Sequence, residues 1–209
     1  MNQLVRNFYK NVWRYPYRKI CQLRLKNKNV SLISSNCIGG GYYHDTFSQF
    51  LSPTINLTII NSLDFFENIE HFLSIEMVDG GFDQHNHPLG ILGDVIICGN
   101  HYKDFESLRE NWNKRKTRVN FDNIFIISQD EFIKTEEDMK RFDKLAYPKV
   151  CFVAHKADLK YDWQIYLPEF EKCDCCGDSM VYRSFSGKRI NEKHFDFVYW
   201  LNNKKFKNR

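Results

Sequence analysis

Cys37 stands between an apolar run and three consecutive glycines, in SNCIGGGYYHD, and its neighbours bear on what the thiol can do. Gly39, Gly40 and Gly41 allow a sharp backbone turn and the close approach of a ligand. The helix expected after them offers unpaired N–H groups and the positive end of its dipole. Such a turn suits a phosphate or a developing oxyanion. The same field lowers the pKa of a nearby thiol, and the thiolate is the reactive form. Two readings of Cys37 stay open: a nucleophile, or a packed thiol lining a ligand pocket. The stretch is neither the dinucleotide fingerprint G-x-G-x-x-G nor a P-loop, because no G-K-[ST] follows.

His101 closes the apolar run ILGDVIICGNHY. There it can serve as a general base or acid, or simply hydrogen-bond at the edge of the core. Beyond it, Phe105, Leu108 and Trp112 fall on one helical stripe, which continues at Arg115. An arginine on an inward stripe, with Arg118 and Asn120 following in WNKRKTRVN, can grip a phosphate or carboxylate bidentately. The alternative is basic charge complementing the C-terminal end of a helix dipole. Lys114 and Lys116 read as solvated. His85 and His87 form an H-x-H pair in a loop, but no further ligand follows at a standard spacing. CDCCGDS carries Cys173, Cys175 and Cys176 without a second C-x-x-C, and reads as an exposed loop. No metal and no particular cofactor is therefore expected.

The elements that must position these groups follow from periodicity. VSLIS (30–34), ILGDVIICGNHY, NIFIIS (123–128) and KVCFVAH read as short strands apolar on both faces, with a further strand around WQIYL. Helices are expected over about 17–26, after the glycines, from Ser62 to about Leu73, after Asp104, after the capping pair Thr135 and Asp138, and in EKHFDFVYWLNN. Alternating strands and helices predict an α/β, three-layer sandwich with a mostly parallel sheet. Ligands in such sheets sit outside the carboxyl ends of the strands. Those ends are Ser34–Cys37, Asn100–His101, Ser128–Asp130 and His155, and all carry polar groups.

The 209 residues suffice for one large domain, read here as a single α/β domain over 29–209 preceded by a basic, aromatic arm over 1–28. Residues 1–44 carry eight basic side chains and no acid, whereas the remainder has 22 basic against 26 acidic residues. The arm interleaves these charges with Phe8, Tyr9, Trp13, Tyr15 and Tyr17. It is either a solvated arm whose aromatics pack on the domain or a peripheral contact with anionic lipid; nucleic acid is the weaker match. The amino terminus lacks the apolar core of a signal peptide, and no window is apolar enough to span a bilayer. Seven cysteines, an odd number, suit reduced thiols and a cytoplasmic location, with peripheral attachment at the inner face of the membrane as the variant.

SNCIGGGYYHD, SPTINL, Pro88–Leu89–Gly90, His101–Tyr102 and WNKRKTRVN, in this order, resemble the bacterial domain-of-unknown-function family nineteen-nineteen. Its members are often filed under exopolysaccharide or capsular polysaccharide biosynthesis. The resemblance implies a Rossmann-like fold and a role in surface-polysaccharide assembly, and adds Asn36 and Tyr102 to the matching positions. Ile38 departs from the pattern, where an aromatic residue is expected in many relatives. Together these readings predict a transferase that moves a glycosyl or acyl group from a phosphate-bearing small-molecule donor. Cys37 and His101 are its candidate catalytic residues; Asn36, Gly39, Gly40, Tyr102, Arg115, Arg118 and Asn120 are its candidate binding residues. The alternatives are a non-enzymatic binding module for a nucleotide sugar or glycan intermediate, and a thiol-dependent hydrolase.

Overall fold

The computed structural model describes Phe8, residues 12–181 and residues 185–207. The chain divides into two compact units. A central unit comprises Asn29–Gly40 and Phe50–Cys151; a terminal unit comprises Met1–Lys28, Gly41–Gln49 and Phe152–Arg209. The fold is mixed α/β. One four-stranded parallel sheet has the order β1 (Ser31–Ser34), β6 (Ile124–Gln129), β7 (Lys149–Val153), β8 (Gln164–Tyr166). A second, antiparallel sheet has the order β2 (Thr58–Ile60), β5 (Val95–Cys98), β4 (Pro88–Leu92), β3 (Val78–Phe82). The parallel sheet expected from the sequence is thus present, but it accounts for only half of the strands.

In the central unit, β1 (Ser31–Ser34) lies parallel to β6 (Ile124–Gln129), with Ser31 opposite Ile124 and Ser34 opposite Ile127. Every residue of both strands is buried. That is why these runs are apolar without alternation: helices cover both faces of a parallel sheet. α5 (Phe105–Lys116) starts where the Asp104 carboxylate accepts the Ser107 N–H, and it buries Leu108 and Trp112 one turn apart. Burial of Leu108 alone contributes about 1.5–3 kcal/mol. α6 (Glu136–Lys144) opens with the Thr135–Asp138 capping box and buries Phe142. The helix expected from Ser62 is broken at Asn68 into α3 (Ser62–Glu67) and α4 (Ile69–Ser74). Phe65 packs edge-on to Trp112, and Phe66 to Phe142.

Apart from INLTII, which reads as extended in sequence too, the antiparallel sheet comes from stretches that read differently. ILGDVIICGNHY is not one strand but a hairpin: β4 (Pro88–Leu92) and β5 (Val95–Cys98) pair through Leu92 and Val95. The two-residue turn between them needs the left-handed φ of +58° at Gly93. The glycine-rich loop before it supplies β3 (Val78–Phe82), and INLTII supplies β2 (Thr58–Ile60).

The terminal unit holds α1 (Tyr15–Arg24), most of α2 (Ile38–Thr46), the end of β7 (Lys149–Val153), β8 (Gln164–Tyr166), α7 (Ile190–His194) and α8 (Phe197–Asn203). Tyr42 stacks on Phe197 with ring centroids 4.2 Å apart. Four charged side chains are buried beside this core. Arg14 donates from both terminal nitrogens to the two Glu192 oxygens, at 2.7 and 2.6 Å, and also pairs with Asp45. Arg189 pairs with Asp45 as well, and its backbone N–H reaches Glu192 at 2.7 Å. Arg14, expected on a basic arm, is fully buried because two carboxylates neutralise it. Arg6, Tyr9 and Lys10 of that arm lie outside the described residues.

Candidate functional site

The carboxyl end of β1 runs straight into α2, so the glycines lie inside the helix rather than in a turn before it. None of Gly39, Gly40 and Gly41 has a left-handed φ. Gly39 is required by proximity: a Cβ there would stand 2.8 Å from Ser34 Oγ. Ser34 Oγ accepts the Gly39 N–H at 3.3 Å and donates to the Asn36 carbonyl at 2.6 Å, while Asn36 Oδ1 accepts the Ile38 N–H at 3.2 Å. Two of the helix's N-terminal amides are therefore engaged within the protein, which narrows the anion cradle that the glycines suggest.

Asn36 also reaches across the strand ends, where its Nδ2 donates to Gln129 Oε1 at the end of β6. Its side chain hydrogen-bonds Glu131 too. Burial pushes the Glu131 carboxyl above the usual range, and the bond from Asn36 offsets part of that rise. A carboxyl group thus stands at the carboxyl edge of the parallel strands, where the α/β rule puts ligands.

Cys37, Tyr102 and Arg115 gather beside this edge. Arg115 Nη1 donates to Tyr102 Oη at 2.7 Å and to the Ile55 carbonyl at 3.3 Å, and Tyr102 donates to the same carbonyl at 3.0 Å. The guanidinium also lies over the Phe50 ring, 5.4 Å from its centroid. Burial raises the Tyr102 phenol pKa, Arg115 opposes the rise, and Cys37 adds to it. The half-buried Cys37 thiol points at the Leu57 carbonyl, 3.7 Å away. It is also close enough to Cys98 to add to the rise of that thiol, which burial and then Asp83 push up to about 11.

Cys98 belongs to a third group of side chains. Asp83, His87 and Cys98 bring one ligand-capable atom each to within 4.8 Å of the others. Asp83 Oδ1 accepts the backbone N–H groups of His85 and His87, both at 2.8 Å. That leaves Oδ2 facing His87 Nδ1 at 3.0 Å and Cys98 Sγ at 3.5 Å. The backbone bond from His87 is the largest influence on Asp83, whose carboxyl is held well below the usual range despite its partial desolvation.

Among the described residues, the other candidates make no side-chain hydrogen bond or ion pair with Cys37, Tyr102 or Arg115. His101 is exposed in the turn after β5, which is closed by the Tyr102 N–H on the Gly99 carbonyl. Arg118 lies just past α5, its N–H on the Arg115 carbonyl. Asn120 has structural work at the amino end of β1: its N–H bonds Ser31 Oγ, its Nδ2 bonds the Asn29 carbonyl, and its Oδ1 caps the turn at Asp122. Glu131, Asp83 and Cys98 are the groups that sequence reasoning passed over, and Gln129 enters only as part of the strand end Ser128–Asp130. Only Gln129 carried a usable signal, as a polar residue ending a wholly buried strand. Cys173, Cys175 and Cys176 are free of disulfides, as are the other four cysteines. Surface concavities of the terminal unit, one of them lined by Leu159, Tyr161, Gln164 and Phe206, contain none of the candidate residues.

The fold is that of a mixed α/β protein, with polar side chains and a thiol grouped at the ends of its parallel strands. Residues 8–202 match the domain of unknown function DUF1919, and the chain belongs to that family. It is similar to an uncharacterized protein of Haemophilus influenzae, 30% identical over 191 residues that cover 90% of this chain and 92% of the relative. No helix among the described residues is long and apolar enough to cross a membrane.

Proposed function

We propose that the carboxyl edge of β1 and β6 is the substrate site of a group-transfer enzyme that acts on a phosphate-bearing donor in bacterial surface-polysaccharide assembly. The observation that carries this reading is the grouping of Cys37, Tyr102 and Arg115 beside the strand ends. Among the described residues, Arg115 reaches protein acceptors through Nη1. Nε and Nη2 are thus available for a phosphate oxygen. In the transfer, an acceptor hydroxyl attacks the glycosyl or acyl carbon of the donor. With a glycosyl phosphate donor the bond from that carbon to the phosphate oxygen breaks, the electron pair leaves on the phosphate, and Arg115 meets the growing charge. With an acyl-coenzyme A donor the carbon–sulfur bond breaks, the pair leaves on the thiolate, and Arg115 holds the coenzyme's phosphates. The hydroxyl proton passes to a base, a role that the half-buried Glu131 at the strand edge fills in preference to the exposed His101. Cys37 lines the donor pocket in this direct transfer; in a two-step transfer its thiolate would attack the donor carbon and expel the leaving group, and the acceptor hydroxyl would then displace the thiolate.

The polysaccharide assignment rests on the family resemblance. Peripheral membrane contact is supported by the surface of α1, where Ile20 and Leu23 are exposed beside Lys19, and by the exposed Trp13 and Tyr15. Complementation of a surface-polysaccharide-deficient strain tests the whole reading. Arg115→Ala and Glu131→Gln are expected to abolish complementation at normal protein levels; full complementation by both would reject the enzyme.

A further inference from the structure

The sequence contains no metal motif, and for a physical reason: Asp83, His87 and Cys98 are separated by irregular intervals that only the β3–β4–β5 meander folds together. β3 and β4 pair antiparallel, so Asp83, just past the end of β3, comes back to His87, just before β4. The Asp83 N–H on the His87 carbonyl at 2.9 Å closes that loop. β5 runs beside β4 with Cys98 opposite Leu89, which carries the Cys98 thiol to the same corner.

The resulting donor set is one carboxylate, one imidazole and one thiol. Tetrahedral zinc with ordinary Zn–O, Zn–N and Zn–S bonds has ligand–ligand edges of about 3.3–3.5 Å. The Cys98 Sγ–Asp83 Oδ2 separation of 3.5 Å already equals such an edge, and the His87 Nδ1–Asp83 Oδ2 separation of 3.0 Å needs only a small opening. Two hydrogen bonds from backbone N–H groups hold Asp83 Oδ1, leaving Oδ2 as the ligating atom and fixing its direction. Mixed nitrogen, sulfur and oxygen donors favour zinc or a similar thiophilic divalent ion over magnesium or calcium, which take oxygen. His85 is the near neighbour that does not join: its ring centroid stands 6.0 Å from that of His87, and its ring nitrogen contacts Gln84.

We propose that Asp83, His87 and Cys98 form a three-ligand binding site for a zinc-like divalent cation, with one coordination position left for an exogenous ligand. Three protein ligands and one open position are the arrangement of zinc sites that bind substrate or water, whereas closed structural sites use four. Cys37 lies close enough to Cys98 for its charge to be felt there. Binding forms the metal–sulfur bond as the Cys98 proton leaves to solvent, and affinity accordingly rises with pH. The inference does not rest on the group-transfer reading.

The test is a titration of the chelator-stripped full-length protein with cobalt(II), followed by competition with zinc(II). The expected result is one cobalt per chain, a near-ultraviolet thiolate-to-cobalt band with tetrahedral visible bands, and displacement by an equimolar amount of zinc. Cys98→Ser is expected to remove the charge-transfer band, and His87→Gln to weaken binding by about 100-fold or more, since even second-shell losses cost 10–100-fold. His87 is about one-third exposed, so its variant leaves the fold intact by circular dichroism and keeps the test decisive. His85→Ala is expected to change nothing. Absence of a saturable cobalt complex, a band that survives Cys98→Ser, or binding that follows His85 instead of His87 would overturn the proposal.

Discussion

Two groups of charged and polar side chains in this protein look alike in composition and differ in what they leave unfinished. In the terminal unit, Arg14, Arg189, Asp45 and Glu192 are buried, and two positive charges face two negative ones. Arg14 spends both terminal nitrogens on carboxylates and donates to the Gly187 carbonyl as well. In the central unit, Arg115, Cys37, Glu131, Asp83 and His87 are only partly buried and converge near the surface of their unit. Arg115 engages protein through one nitrogen, Asp83 directs an oxygen at two potential ligands, and Glu131 is a carboxyl group pushed up by burial. A buried cluster whose charges cancel serves the fold. Where groups are convergent and incompletely used, the geometry favours binding or chemistry.

The largest effect should come from breaking the closed cluster. Glu192→Gln or Asp45→Asn leaves a buried guanidinium short of an anionic partner, and each is expected to cost about 3–5 kcal/mol of stability in chemical denaturation. The corresponding changes in the open cluster should be mild for folding. Cys37→Ser is expected to lose about 1 kcal/mol or less, and a loss as large as that of Glu192→Gln would erase the contrast.

The pH dependence sharpens the comparison further, because Asp83 and Glu131 are shifted in opposite directions. Asp83 is held below the usual carboxylate range, first by the His87 backbone N–H. Its stabilising contribution is complete above the unfolded value near pH 4 and is lost as pH falls toward the folded value. Asp83→Asn should therefore flatten the acid limb of the stability curve. Glu131 is raised by burial, so its carboxyl favours the fold when protonated and that contribution is lost as pH rises through its folded value. Glu131→Gln should accordingly stabilise the protein at neutral pH, and denaturant midpoints between about pH 3 and 7 check both signs. The smallest effect on stability is expected from Ile20→Ser with Leu23→Ser, both exposed on α1. That pair should leave the denaturation midpoint unchanged while releasing the protein from anionic vesicles; unchanged partitioning would reject the membrane contact.

Much of the parallel half was legible in the sequence. β1 and β6 are apolar on both faces because both faces are covered, and Asp104 and Thr135 cap helices through bonds that their residue types advertise. The antiparallel half was hidden. Gly93 and Asp94 form a two-residue turn inside what reads as one apolar strand, and the stretch 79–87 reads as loop although its glycines lie within β3 and its histidines between β3 and β4. That error also concealed the Asp83–His87–Cys98 group, since ligands joined by strand register have no fixed spacing along the chain. EKHFDFVYWLNN likewise reads as one helix but is broken at Asp196, whose carboxylate caps α8 at the Tyr199 N–H. At the glycine triplet, the sequence correctly marked a place where backbone comes close. What comes close at Gly39 is the protein's own Ser34.

The central claim is that the strand edge carrying Cys37, Tyr102 and Arg115 binds a phosphate-bearing donor. Its most direct test is the unfolding free energy of wild-type and Arg115→Ala protein across a panel of nucleoside diphosphate sugars and acyl-coenzyme A compounds. A donor present at about 100 times its dissociation constant should stabilise the wild type by about 2.7 kcal/mol and the variant by far less. Equal stabilisation of both proteins by the same donor, or no stabilisation by any member of the panel, would contradict the claim.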